Sequence, residues 1–192
     1  MSGSRIRLYG STSGYVELEA PAVAPDASLV LPSTFGGIGS NVVQTVKTDV
    51  FTTTSTSYTG ITGLTATITP TSATSKILVL ANVKGASQQA TSGGGLQYRL
   101  MRDSTAIYIG DASGSTTRAS GQLGTRLTGS EALLISDTAV MLDSPATTSA
   151  VTYSVQVRAN AGTAFINKPE STSTDSAATR AASGIIVIEV AA

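Results

Sequence analysis

Any chemistry in this chain has to be done without histidine or cysteine, because its 192 residues contain neither. That removes Ser-His-Asp and Cys-His catalysis, in which an imidazole takes the proton of the nucleophile, and with it disulfides and thiolate metal sites. A Ser-Lys arrangement stays open through Lys47, Lys76, Lys84 and Lys168, but no spacing singles out a pair. Two carboxylates flanking a glycosidic bond are the other option, and Asp111, Glu131, Asp137 and Asp143 are the acids in loop-like or strand-end places. Each also reads as a turn residue whose carboxylate bonds its own backbone. Asp103 and Asp111 offer oxygen to a hard cation, although no twelve-residue calcium loop is present. The "SGGGL" stretch, Ser92 to Leu96, lacks the Gly-Lys-Ser/Thr of a phosphate loop and reads as a hairpin tip. The expectation is no catalytic residue, no metal and no cofactor.

Composition points to surfaces. Lys plus Arg and Asp plus Glu are 12 each, the formal charge is zero, and no run of like charges occurs. Electrostatic capture of nucleic acid or of an anionic membrane is therefore not expected. Nor do the tyrosines and phenylalanines, scattered without basic neighbours in a repeated pattern, make a stacking platform. The apolar run from Ile77 to Ala81 is far shorter than a membrane helix needs. "MSGSRIRLYG" has no apolar signal-peptide core, so synthesis in a cytoplasm is the reading.

The elements that would position these side chains are strands. Charged residues are only 12% of the chain and aromatic ones 5%, and the balance is made up with Ser, Thr, Gly and Ala. Thr and Val suit a pleated sheet, whereas Gly and Ser punctuate it. No window carries apolar residues at i, i+3, i+4 and i+7 over three turns. Residues 1–34 hold three alternating runs, "RIRLY", "YVELEA" and "SLVLP", with Ile6, Leu8, Val16, Leu18, Leu29 and Leu31 on the apolar sides. Three such strands bury too little to offset the ordering of their own backbone, so this unit is expected to be stable only by association.

The glycines of "FGGIGS", residues 35–40, read as a hinge. Residues 41–192 then give eight or nine short strands, from "NVVQTVKTDVF" to "GIIVIEV", with the cleanest alternation in "VTYSVQVRA". There Val151, Tyr153, Val155 and Val157 are expected inward. Ile185 to Val190 is apolar almost throughout and is expected to be a central strand buried on both faces. The uncharged "TTTSTSYT", Thr52 to Thr59, reads as an exposed strand pair, or alternatively as a contact surface between copies. The fold class is all-β, a small N-terminal unit followed by an antiparallel jelly-roll sandwich.

"GSTSGYVELEAPAVAPDASLVLPS" resembles a short unit near the amino termini of fibre and virion structural proteins of tailed bacteriophages. "YTGITGLTATITPTSATSKILVLANVKG", "YRLMRDSTAIYIGDASG", "LDSPATTSAVTYSVQVRANAGTAFINK" and "SGIIVIEVAA" are similar to a carboxy-terminal head domain of the same proteins. The resemblance implies a homotrimer with a TNF-like jelly-roll head, in which three copies of residues 1–34 intertwine through the six apolar residues named above. It implies a virion location, with the major capsid protein or another virion protein as partner. A capsid decoration or head-fibre role is the leading expectation, and a short tail fibre recognising host surface carbohydrate is the alternative. In the latter case the loops at 112–124 and 161–175 would carry the contacts, with Arg118, Arg126, Phe165, Asn167 and Lys168 as candidate ligand residues.

Overall fold

A computed structural model of the chain describes residues 5–9, 15–19, 41–87, 95–124, 134–169 and 179–191, the first two by backbone alone. The backbone divides into two compact units, Met1–Phe35 and Gly36–Ala192.

In the first unit β1 (Arg5–Tyr9) pairs antiparallel with β2 (Tyr15–Glu19). The register sets Ile6 opposite Leu18, Leu8 opposite Val16, and Arg5 and Arg7 opposite Glu19 and Glu17. The register therefore sets apolar positions opposite apolar ones, alternating with positions of opposite charge. The expected third strand, with Leu29 and Leu31, lies outside the described residues, as does the glycine hinge.

The second unit is a jelly-roll-like β sandwich without helices among the described residues. Its first sheet holds β3 (Val42–Lys47), β13 (Ser183–Val190), β6 (Lys76–Ser87), β12 (Ala164–Ile166) and β4 (Phe51–Thr53) in that order, with β10 (Ile135–Asp143) on the other edge of β6. The second holds β5 (Thr59–Ile68), β11 (Val151–Ala159), β7 (Leu96–Arg102) and β8 (Thr105–Ile107), with β9 (Gly121–Leu123) also on β7. Every pairing is antiparallel.

Alternation decides which side chains fill the space between the sheets. Val151, Tyr153, Val155 and Val157 point inward from β11 and meet Ile77, Val79, Ala81 and Val83 of β6 and Ile185 and Val187 of β13 in one core. Strand β5 breaks the period of two and still buries both Ile61 and Leu64. A bulge allows it: Gly63 takes φ 79°, open to glycine at no steric cost, and the β5–β11 register shifts there.

Several expectations from sequence are corrected here. Thr52 to Thr59 is not a strand pair, since only Phe51–Thr53 is strand and the next begins at Thr59. "TAIYIGD" stays extended only through Ile107, because Tyr108 turns to φ 52°. The loop-rich stretch after it contains β9. Finally, Ile185 to Val190 is buried on one face only: Ile185 and Val187 are in the core, while Ile186, Ile188 and Val190 remain partly open.

Candidate interaction surface

The open side of β13 belongs to a wider face of the first sheet. Strands β13 and β6 are apolar on both faces, yet the second sheet covers just one. Register lines up what the other face presents. One row runs Val42, Ile188, Leu78, Leu142; the next runs Gln44, Ile186, Leu80, Val140; a third runs Val46, Gly184, Asn82, Thr138. Val42, Val46, Val140 and Leu142 are 49%, 54%, 47% and 50% exposed, among the largest exposures of apolar side chains in the unit. No charge interrupts the rows, and along β6 they end at Lys76 and Lys84. Gly184 has no side chain, so the third row dips into a shallow hollow lined by Gln44, Val46, Leu80, Asn82, Thr138 and Ile186. Asn82 Nδ2 donates to Thr138 Oγ1 at 2.7 Å and to Ser136 Oγ at 3.0 Å, which leaves its carbonyl oxygen available.

The acids singled out from sequence are not brought together. Asp137 and Asp143 both point inward from β10 but lie six residues apart on one strand, about 20 Å at the usual rise. A glycosidase pair needs roughly 5–10 Å. Each instead holds a tyrosine of the opposite sheet. Tyr98 Oη donates to Asp137 Oδ2 at 2.8 Å, and Tyr153 Oη donates to Asp143 Oδ2 at 2.7 Å. Burial, and then the neighbouring carboxylate, push both phenols far above their ordinary range. Arg102 completes the second pair, reaching Asp143 at 2.9 and 3.0 Å. Gly121 lies against the first, where a Cβ would come within 2.6 Å of the Tyr98 hydroxyl. These are two pins between the sheets. Asp103 closes a turn, accepting from the Thr152 amide at 2.9 Å, and Asp111 is exposed; Glu131 lies outside the described residues. Among the described residues no three acids gather as cation ligands would.

Phe165, Asn167 and Lys168 were expected on a ligand loop, and the structure buries the first two. Phe165 is in β12 and 9% exposed, with Lys168 Nζ 4.4 Å from its ring centre. Asn167 is fully buried at φ 65°, a conformation that asparagine tolerates better than most residues. Its amide donates to the carbonyls of Lys47 and Asp49 at 2.8 and 3.0 Å, and its oxygen accepts from Ser183 Oγ at 2.7 Å. It is a joint between strand ends. Alternation on the short strand β12 sends Ala164 and Ile166 into the core and Phe165, paired with Ala86, to the opposite face, where it is nonetheless covered. Arg118 is exposed, donating from Nε to the Gly110 carbonyl at 2.6 Å, while Arg126 lies outside the described residues. Ile6, Leu8, Val16 and Leu18 are on β1 and β2.

Sequence reasoning missed two things. One is the apolar sheet face, whose signal was present in the doubly apolar β6 and β13. The other is a group of cations on the outer face of the second sheet. Arg99 and Arg158 are diagonal neighbours there, since Arg99 pairs with Gln156 and Arg158 with Gln97. Arg99 Cζ lies 4.2 Å from the ring centre of Tyr58, whose hydroxyl donates to the Arg118 carbonyl at 3.0 Å.

The chain matches no protein-family model and no curated protein sequence. Among solved structures, one with which it aligns is that of infectious bursal disease virus, Gt strain, at 16% identity and a TM-score of 0.39. The alignment covers 96% of this chain and 46% of that chain, so this chain spans less than half of the other's length.

Proposed function

We propose that the chain is a structural protein of a tailed-phage virion, a homotrimer on the outside of the capsid, with residues 1–34 as its foot and the jelly roll projecting outward. The observation that supports association is the uncovered apolar face of β3, β13, β6 and β10. Copies of the same chain suit that face better than a partner of opposite charge, because its rows carry none and the whole chain is formally neutral. Gln44, Asn82 and Thr138 each carry a donor and an acceptor, so a copy can satisfy what a copy exposes. Covering a half-exposed Val or Leu gains about 1 kcal/mol, so the four in one patch contribute about 4 kcal/mol per copy toward the cost of association. The virion assignment draws its support from the resemblance of both parts of the chain to phage fibre and virion proteins. In this role the chain catalyses nothing.

A short tail fibre that recognises host carbohydrate is the second reading, and the arginine cluster on the opposite sheet favours it. Gold labelling of intact particles with an antibody against the jelly roll separates the two. Label spread over the head is expected; label confined to the tail makes the chain an adhesion protein, and unlabelled particles sink both readings.

A further inference from the structure

The outer face of β11 and β7 brings two guanidinium groups together, those of Arg99 and Arg158, with no carboxylate paired to them among the described residues. Arg99 stacks on Tyr58, and Arg158 is the diagonal neighbour of Arg99. Their partners are neutral. Arg99 Nε donates to Gln156 Oε1 at 2.9 Å, and a nitrogen of the Arg158 fork donates to Thr117 Oγ1 at 2.6 Å and to Gln97 Oε1 at 3.4 Å. Most of the Arg99 fork is left free, and Arg158 Nε is buried with no partner at all. An orphaned, buried cationic donor is costly unless an acceptor reaches it. Beside these groups the surface is open, because exposed Gly60 is the β5 partner of Gln156 and a Cβ there would meet nothing within 4 Å.

We infer that this face binds the carboxylate of an acidic saccharide. Planar guanidinium forks match a carboxylate geometrically and in charge. The amides and hydroxyls around them, Gln97, Gln156 and Thr117, both donate and accept, as sugar hydroxyls require. A nucleic acid would need open aromatic faces, and the ring of Tyr58 is already covered by Arg99. Because this face is on the opposite sheet from the apolar rows, the inference does not depend on how copies associate or where on a particle they sit.

The test is a titration of the full-length chain at low salt, followed by NMR, with four probes: a galacturonate tetramer, its methyl ester, inorganic phosphate and a short oligothymidylate. The expected result is binding of the acid tetramer at least about tenfold tighter than the other three, the worth of one charge-assisted hydrogen bond, with shifts at Arg99, Gln156 and Arg158. Arg99→Gln and Arg158→Gln should each weaken it about tenfold, and Arg99→Lys, which keeps the charge and loses the fork, should recover only part. The ester comparison uses the unaltered chain and so stands even where a variant unfolds. Equal binding of acid and ester, phosphate or oligothymidylate binding as tightly as the acid tetramer, or no binding of the tetramer would each overturn the inference.

Discussion

At the scale of single residues, the polar groups inside this sandwich are fasteners. Asp143 is 7% exposed and answers both Tyr153 and Arg102, so its loss strands a buried phenol and a half-covered cation together. Asp143→Ala should cost about 2–3 kcal/mol in urea denaturation, and Tyr153→Phe, which removes one bond and leaves the ion pair, about 1 kcal/mol. Equal losses in the two variants would show that the pair with Arg102 contributes nothing. Glu189 makes a prediction in pH. Burial pushes its carboxyl up, but hydrogen bonds from the Thr71 hydroxyl, Asn41, Ser75 and the Thr71 amide outweigh that and bring it down from 4.5 to about 2. A carboxylate more acidic when folded stabilises the fold above its unfolded value, and that share is lost as pH falls through the window from 4.5 to about 2. Thermal unfolding of Glu189→Gln should therefore start lower at neutral pH and fall less steeply across that window than the parent's. Parallel curves would mean that Glu189 is not the group responsible.

At the scale of elements, the decisive feature is a strand with two apolar faces and one cover. Ile185 to Val190 looked doubly buried in the sequence because it is apolar almost throughout; the fold supplies a second sheet on one side and leaves Ile186 and Ile188 partly open. Strand β10 separates the two roles along its length, with Ala139 and Asp143 inward and Val140 and Leu142 outward. Val140→Lys places a charge in the middle of the outer rows without touching the core. It should leave the circular dichroism and thermal midpoint of the sandwich near the parent's while abolishing association. A variant that still assembles would mean that the apolar face is not the contact. Much of this was legible in advance, since the alternation of β11 was read correctly residue by residue. The bulge at Gly63 and the burial of Phe165 and Asn167 were not, because each depends on a partner strand far away in the chain.

At the scale of the whole molecule, the chain comprises two compact units of unequal means. The sandwich has a core of its own, whereas the small unit has a hairpin whose register alternates apolar positions with positions of opposite charge. Light scattering of the full-length chain should give about three times the 19.3 kDa chain mass at micromolar concentration. A monomer at that concentration would exclude the trimer, and a dimer would keep the apolar contact while removing the three-fold foot.

Composition and period two, taken alone, determined the all-β class, the inward residues of the regular strands and the absence of imidazole and thiol chemistry, because these depend on residue type and local spacing. Only the tertiary structure decided that Asp137 and Asp143 pin tyrosines about 20 Å apart along one strand. It also decided that Asn167 joins strand ends, and that Arg99 and Arg158 meet beside Tyr58. The reason is physical: such neighbours are set by strand pairings between segments distant in sequence, and a pairing register cannot be read from either strand by itself.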